Sequence, residues 1–486
     1  MYIACEKTNS AFFIRKLEGE LANCEKIPFK AELFLETSGK TNYSGFKTNR
    51  PLKQFEFDSI EKYNEFKEKF SDRIYGDIDP IYQQLSTTNP NIEEIKKITS
   101  WSIDIEVYSE TEFPYPNLAN KYPITVISLT NFKTQESYTW LYDINKLCTL
   151  KSEKDFNIKI FFNELEMFKD FTQFFKQNLK SIHVLTGWNS IDFDIPYLIH
   201  RMNFLENDDI HIISDLAKAL SPFKNITYND REKNFMIKGL PHYDYLQLFK
   251  KFGGNYGSYK LEEICQEELG HGKVDHSEYA SFAEFYNQDV NEFVRYNKDD
   301  SRLVKELDDK FKYIPLAISI AYMCKIPFEK IYSPIRCWEA LIYNELKKKN
   351  IVLFPRKRET KEDYQGAFVK EPSKGMKMDI LSYDLTSLYP SVIQAMNISN
   401  ETLIEYETDT KATIESFVSG YIPEDYHKKN MIVDAAGNIF SKEQIGIIPQ
   451  LMETIFNRRL NLVNQIKEIT TEIDSLKEQL KECESV

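Results

Sequence analysis

A chain of 486 residues, 42% hydrophobic and 28% charged, is too long for one ordinary core and has the mix of a globular protein of about three domains. The net charge of −13 argues against a general nucleic-acid coat protein. It leaves room for an enzyme with a local basic groove, because polynucleotide affinity follows where cations cluster. No run of about 18 apolar residues is present to span a membrane, and Met1-Tyr-Ile-Ala-Cys-Glu-Lys7 lacks the apolar core of a signal peptide. Seven scattered cysteines without a Cys-x-x-Cys pair read as free thiols in a reducing compartment.

Residues 1–100 alternate strand-like runs with turns: Ala11-Phe-Phe-Ile-Arg15, Lys30-Ala-Glu-Leu-Phe-Leu35, then Asn42-Tyr-Ser-Gly45. Helix-like stretches follow around 60–70 and 93–97. Near 101 the pattern becomes Trp-Ser-Ile-Asp-Ile-Glu-Val-Tyr, a buried strand with carboxylates on alternate positions. Ile124-Thr-Val-Ile-Ser-Leu129 and Tyr138-Thr-Trp-Leu-Tyr142 predict two more strands, Glu164–Asn178 a helix, and His183-Val-Leu-Thr-Gly-Trp-Asn189 a further strand. This alternation is an α/β signature. Residues 226–238 predict a hairpin turning at Asn229-Asp230. Residues 286–312 predict one long amphipathic helix, and 313–350 more helix ending at Lys347-Lys-Lys-Asn350. The polar stretch 355–375 predicts a domain connection, Met378-Asp-Ile-Leu-Ser-Tyr383 a strand, and 447–482 a helix with Pro449 in its first turn.

The chemistry-bearing residues are acidic. On a strand, residues two apart share a face, so Asp104 and Glu106 present two carboxylates together while Ile103 and Ile105 face a core. Two such anions raise each other's pKa unless a cation lies between them. Oxygen-only ligands suit Mg²⁺ or Mn²⁺ rather than Zn²⁺. Alone the pair decides little, since Asp-x-Glu also occurs on exposed strands. Asn189-Ser-Ile-Asp-Phe-Asp194 adds a third carboxylate, with Asp192 and Asp194 also readable as caps of a helix N-terminus. Tyr296 and Asp300, four apart on a helix, share a face. A tyrosine hydroxyl there can orient or deprotonate a water. Asp299 sits off that face and reads as a surface acid.

In this order the elements resemble the 3′→5′ proofreading exonuclease of family B DNA polymerases, a member of the RNase H-like group. Asp104-Ile-Glu106 matches its first motif, Asn189-x-x-x-Phe193-Asp194 the second and Tyr296-x-x-x-Asp300 the third. The hairpin near 226–238 sits where that family has one that helps separate primer from template. The resemblance implies two Mg²⁺ or Mn²⁺ ions per active site and single-stranded DNA as nuclease substrate, with Asp104, Glu106, Asp194, Asp300 and Tyr296 carrying the reaction.

Asp384-Leu-Thr-Ser-Leu-Tyr-Pro-Ser391 closely matches motif A of the same family. The resemblance implies that Asp384 and the Leu385 carbonyl hold catalytic Mg²⁺. It gives the amides of Ser387, Leu388 and Tyr389 to the incoming dNTP, with the Tyr389 ring under its sugar. Ser333-Pro-Ile-Arg-Cys-Trp-Glu-Ala340, Phe113-Pro-Tyr-Pro-Asn117 and Tyr364-Gln-Gly-Ala-Phe-Val-Lys-Glu-Pro372 look like the tailed-phage replicative branch. Ile447 through Phe456-Asn-Arg-Arg459 resembles the start of the fingers, with Arg459 toward the nucleotide phosphates. Val463 stands where the family has a second basic residue, which puts triphosphate binding by this helix in doubt.

Motif B, motif C (Asp-Thr-Asp), the thumb and the C-terminal clamp-binding tail are not in these 486 residues. One carboxylate cannot hold two metals, so the chain alone is expected not to polymerise. Val463, Ile466, Ile469, Ile473, Leu476 and Leu480 form a helical seam that wants a partner. The expected organisation is an N-terminal mixed domain at 1–100 with a return at 313–354 and an RNase H-like exonuclease at 101–312. A partial palm follows at 355–446 and the first fingers helix at 447–486.

The reading is the N-terminal subunit of a split polymerase. It would act on primer-template and single-stranded DNA with dNTPs, in the cytoplasm of an infected bacterial host. Its partner would be a C-terminal chain with motifs B and C that could bring a sliding clamp. Alternatives are a free-standing 3′→5′ exonuclease with a vestigial palm, a non-catalytic nucleic-acid-binding replication subunit, and, for the tail, an experimental truncation or a homodimeric coiled coil.

Overall fold

This computed structural model describes residues 1–154, 156–275, 277–355, 371, 373–385, 387–404, 419–420, 430–434 and 438–484, with side chains of the last helix described to Leu480. The connector at 364–372 lies outside the described residues except Glu371. The architecture is mixed α/β, as expected, in two compact units. One comprises Met1–Glu32, Glu56–Lys69 and Ile78–Leu341; the other comprises Leu33–Phe55, Phe70–Asp77 and Ile342–Val486.

The first unit is centred on a six-stranded sheet. Its strands are β1 (Ser100–Val107), β2 (Ile124–Asn131), β3 (Ser137–Tyr142), β4 (Phe156–Phe161), β5 (Val184–Gly187) and, after the hairpin β6 (Ile226–Asn229) and β7 (Asn234–Ile237), β8 (His242–Asp244). The spatial order is β4-β3-β2-β1-β5-β8. β1, β2 and β3 pair antiparallel, while β5 joins β1, β8 joins β5 and β4 joins β3 in parallel.

The two faces of the sheet differ in chemistry. Trp101, Ile103 and Ile105 are buried in a large apolar cluster with Met167, Phe168 and Phe171 of helix α1 (Glu164–Asn178) and with Leu198 and Met202 of helix α2 (Asp194–Asn207). Arg201 of α2 forks onto Glu164 of α1 at 2.9 and 2.6 Å, a buried pair in which each side chain is 8% exposed. Glu164 also accepts the Ile124 amide at 2.9 Å, so this pair ties α1 and α2 to the start of β2.

The opposite face carries small polar residues and is covered by helix α3 (Val290–Phe311). Ser102 Oγ donates to the Ser301 carbonyl at 2.5 Å, and the Thr130 and Ser301 hydroxyls bond at 2.6 Å. Phe293, Val294 and Tyr296 of α3 pack with Val126 and Leu141.

Most expected elements form where the periodicity puts them. The helix at Glu164–Asn178 forms at those residues, and β6 and β7 pair as a hairpin, Asn229 opposite Asn234. The expected single helix over 286–312 does not form. Phe282–Gln288 is a separate helix, and Asp289, with φ −142° and ψ 77°, breaks the run and caps α3 by accepting the Glu292 amide at 2.9 Å.

In the second unit, Tyr43–Gly45 is a strand pairing with Pro51–Phe57 and with Ile351–Val352. Helix α4 (Leu388–Ala395) packs on α5 (Ile447–Glu484), and Pro449 lies in the first turn of α5 as expected. Between them, Asn397 Nδ2 donates to the carbonyls of Ser441 and Gln444 at 2.6 and 2.8 Å and its Oδ1 accepts the Gly446 amide at 2.8 Å, fixing the entry to α5.

The expected strand Met378–Tyr383 is not formed. No strand lies beside it among the described residues, so its backbone has no ladder, and Met378, Ile380, Leu381 and Tyr383 are 73–87% exposed.

Candidate active site

β1 sends Asp104 and Glu106 to the α3 side of the sheet because Ile103 and Ile105 are claimed by the apolar face. A register irregularity follows immediately between Glu106 and Val107; such bulges re-aim side chains beside functional sites. On α3, Asn297, Asp300, Ser301 and Val304 fall on one helical face, and Asp300 arrives from above. Oxygens of Asp104, Glu106 and Asp300 lie within 4.8 Å of one another. Asp104 and Glu106 keep partial exposure, whereas Asp300 is buried at 4%.

Asp194, also 4% exposed, enters from the first turn of α2. Its Oδ1 accepts the Ile105 amide at 3.0 Å, which ties it to β1 between the two β1 carboxylates. Asp194 lies close enough to raise Asp104, and Asp192 is exposed beside it. Asp299 points elsewhere, paired with Lys298 at 3.1 Å.

The loop carrying this motif requires special backbone. A Cβ on Gly187 would come within 2.7 Å of the Ile103 carbonyl, and Asn189 has φ +61°. The loop is held by Asp244, 1% exposed, which accepts the amides of Asn189 (3.2 Å), Ile191 (3.0 Å) and Leu246 (2.9 Å).

Enclosing these acids is costly. Burial raises Asp104 well above the usual carboxylate range, reinforced by Asp194, Asp300 and Glu106. Burial and then Asp300 push Glu106 up to about 8, and burial pushes Asp194 up to about 7. Tyr296 is raised by burial and then by Asp300, so its phenol holds its proton.

Two groups near this site have no signal at the level of motifs. Lys273, on the loop after Gly270, donates from Nζ to Asp300 Oδ2 at 2.5 Å and to Tyr296 Oη at 3.0 Å. Burial alone would lower its pKa, but Asp300, Tyr296 and Asp104 together raise it, so it stays an ammonium. Asn297 Nδ2 donates to Asp104 Oδ2 at 2.5 Å. Helical spacing from Asp300 could have found Asn297; nothing in the local sequence marks Lys273.

The donor set fits a hard divalent cation: three mutually close carboxylates, all oxygen, of which Asp104 and Glu106 are raised by burial and by the neighbouring acids. Among the described residues this is the one such group.

The second set of candidate residues is arranged differently. Asp384 and Leu385 are exposed and belong to no carboxylate cluster among the described residues. Thr386 lies outside the described residues. Ser387, φ +52°, precedes α4, whose first turn includes Leu388 and Tyr389. First-turn amides have no intrahelical acceptor and are free to meet an anion. The Tyr389 ring is 78% exposed, and Arg459 is exposed on α5.

Residues 45–264 match the description "DNA polymerase family B, exonuclease domain", and residues 333–482 match "DNA polymerase family B". Asp104, Glu106 and Asp194 lie in the first match and Asp384 to Arg459 in the second; Tyr296 and Asp300 fall between them. Over 397 residues the chain is 30% identical to the DNA-directed DNA polymerase of Escherichia phage RB69, covering 75% of this chain and 42% of that protein. It is 31% identical over 302 residues to the DNA-directed DNA polymerase of Enterobacteria phage T4, covering 62% and 32%. Identity to the DNA polymerase delta catalytic subunit of Schizosaccharomyces pombe is 27% over 388 residues, covering 76% and 34%. The chain spans less than half the length of each of these relatives.

Proposed function

Since the chain belongs to the family B DNA polymerases, with relatives in the phage replicative branch, we propose that it carries the proofreading 3′→5′ exonuclease and the first half of the polymerase palm, and that it works as the N-terminal subunit of a split enzyme. The observation that carries the nuclease reading is the convergence of Asp104, Glu106 and Asp300, with Asp194 bonded to the β1 backbone between them.

In this reading Asp104, Glu106, Asp194 and Asp300 would hold Mg²⁺ or Mn²⁺. Bound there, such ions activate a water and stabilise the leaving oxygen of a phosphodiester. The protein's own share is positional. Asn297 fixes the Asp104 carboxylate, and the Asp244 anchor holds the loop that delivers Asp194. Lys273 donates to the Tyr296 oxygen, which leaves the phenolic proton to orient a water at Oη. Incubating the chain with 3′-labelled single-stranded DNA tests this. Mononucleotides should appear from the 3′ end with Mg²⁺ and not with a chelator, and robust digestion by the Asp104→Ala, Asp194→Ala double variant would sink it.

The domain boundaries proposed are 1–100 with 313–354, 101–312, 355–446 and 447–486. The palm and fingers reading gives Asp384 and Leu385 a metal, and Ser387, Leu388, Tyr389 and Arg459 a dNTP, on a primer-template. A complementary chain with motifs B and C is the proposed partner, a sliding clamp its possible companion, and the cytoplasm of an infected bacterial host the setting. What supports the partner is exposed apolar surface. Met376 is 91% exposed, Tyr383 87%, and Ile466, Ile469, Ile473, Leu476 and Leu480 of α5 are 45–62% exposed. The second reading, a free-standing 3′→5′ exonuclease, is favoured by the isolation of Asp384 among the described residues.

A further inference from the structure

Two thiols outside both acidic sites meet across a short connection in the first unit. Cys324 closes the helix Tyr313–Cys324, and Cys337 lies near the start of the helix Pro334–Lys348. Both are reduced; Cys324 is 1% exposed and Cys337 is partly exposed. The Cys324 thiol donates to the Cys337 sulfur. The backbone on both sides of the pair is held in place. Tyr2 Oη donates to the Ala321 and Ile326 carbonyls at 3.1 and 2.8 Å. The Tyr243 hydroxyl donates to the carbonyl of Phe328, in the connecting turn Phe328–Tyr332, at 3.0 Å. The Cys337 amide donates to the Ser333 carbonyl at 3.2 Å.

Their surroundings divide the chemistry between the two sulfurs. The hydrogen bond from Cys324, helped by Lys251 of the helix Tyr245–Phe252, holds the Cys337 thiol below its ordinary value against the opposing effect of burial. The opening of a helix favours an anion in the same sense. Cys324 is raised by that bond and then by burial, so it keeps its proton. Cys5, Cys24, Cys148 and Cys265 are all raised by burial, which leaves Cys337 as the one lowered thiol among the described residues. A partly exposed thiolate beside a shielded thiol is the pairing of an attacking and a resolving sulfur.

We propose that Cys337 and Cys324 form a reversible thiol–disulfide pair, oxidised by hydrogen peroxide through attack at Cys337. The Cys337 thiolate attacks one peroxide oxygen: an S–O bond forms, the O–O bond breaks, and the departing hydroxide takes up a proton to become water. The Cys324 sulfur then attacks the sulfur of the Cys337 sulfenic acid. The S–S bond forms, the S–O bond breaks, and hydroxide leaves with the Cys324 proton as water. Together the sulfurs lose two electrons and peroxide gains them. The bond staples the end of one helix to the start of the next, and that second helix carries the chain from the first compact unit into the second at Leu341–Ile342. The proposal is independent of the nuclease and polymerase readings and rests on different residues.

The test uses the full, unmodified chain with a chelator present to suppress metal-catalysed oxidation. After hydrogen peroxide treatment the remaining thiols are alkylated in denaturant and the chain is digested without reductant. Mass spectrometry should find the Cys324 and Cys337 peptides joined, and dithiothreitol should restore both thiols. In the native chain at pH 7, iodoacetamide should label Cys337 roughly tenfold faster than the more exposed Cys24, whose thiol is raised. In Cys324→Ala the same peroxide treatment should leave Cys337 as a sulfenic acid that dimedone traps. Recovery of Cys324 fully alkylated after peroxide treatment, a Cys337 disulfide to any other cysteine, or labelling of Cys337 no faster than that of Cys24 would overturn the proposal. The disulfide and the labelling rate are read on the unmodified chain, so they decide the matter even where Cys324→Ala folds poorly.

Discussion

Nζ of Lys273 lies 2.5 Å from Oδ2 of Asp300, so the acidic cluster already faces one cation supplied by the chain itself. The same ammonium is 3.0 Å from the Tyr296 oxygen. It therefore touches both a proposed metal ligand and the proposed water-orienting phenol.

Replacing it separates two effects. Lys273→Met should lower the rate of mononucleotide release roughly 10- to 100-fold, because Tyr296 loses the donor that fixes its hydroxyl. It should also lower the Mg²⁺ concentration needed for half-maximal rate, since a divalent ion no longer shares the carboxylates with a resident positive charge. A metal titration of the nuclease rate reads both, and an unchanged or higher half-maximal Mg²⁺ concentration in the variant would contradict the second.

The carboxylates and the phenol should differ in weight. Asp104→Ala removes a proposed metal ligand and should lower digestion of single-stranded DNA by orders of magnitude. Tyr296→Phe removes one positioned hydroxyl and should cost roughly 10- to 1000-fold. Equal losses in the two variants, measured as single-turnover rates, would remove the distinction.

Stability should depend on pH through the same acids. Asp194 is raised from 3.8 to about 7 and Glu106 from 4.5 to about 8. Between those limits the folded, metal-free chain keeps protons that the unfolded chain has released, so the contribution of these two acids to stability is greatest near pH 4 and declines as pH rises to about 8. In the proposed metal site Mg²⁺ would take the place of those protons. Its addition should therefore raise Tm more at pH 8 than at pH 5, and Asp194→Asn should flatten the decline. A Mg²⁺ shift of the same size at both pH values would show that these acids are not the linked groups.

Primer extension is expected to require a second chain. With dNTPs and Mg²⁺ the protein alone should add no nucleotides, a chain carrying motifs B and C should restore addition, and Asp384→Asn should abolish the restored activity. Extension by the unmixed protein would refute the account of Asp384 as half of a metal site.

The α5 seam is the expected joint. Five of its side chains from Ile466 to Leu480 are 45–62% exposed, each worth roughly 1.5–3 kcal/mol when covered, before ordering costs. Ile466→Asp with Ile473→Asp should weaken pull-down of the complementary chain and the restored polymerase activity while single-strand digestion persists. Unchanged assembly would place the joint elsewhere, and equal loss of both activities would indicate misfolding.

Periodicity within an element was enough to place most of the acidic site. Alternation over residues 101–107 puts Asp104 and Glu106 opposite Ile103 and Ile105, and spacing on α3 puts Tyr296 and Asp300 on one face, because both patterns repeat the geometry of their own backbone. Patterns that depend on a neighbour were not legible. β4, an edge strand with few buried residues, has no strong alternation and owes its existence to pairing with β3. The break at Asp289 interrupts an otherwise continuous helical pattern because that side chain caps α3. The apolar run at Met378–Tyr383 reads as a strand, yet no partner strand lies beside it among the described residues. Lys273 reaches Asp300 across 27 positions, and Asp194 reaches the Ile105 amide across 89. Such meetings are set by which faces are buried and how the loops close around them, and those choices are made only when the whole core packs.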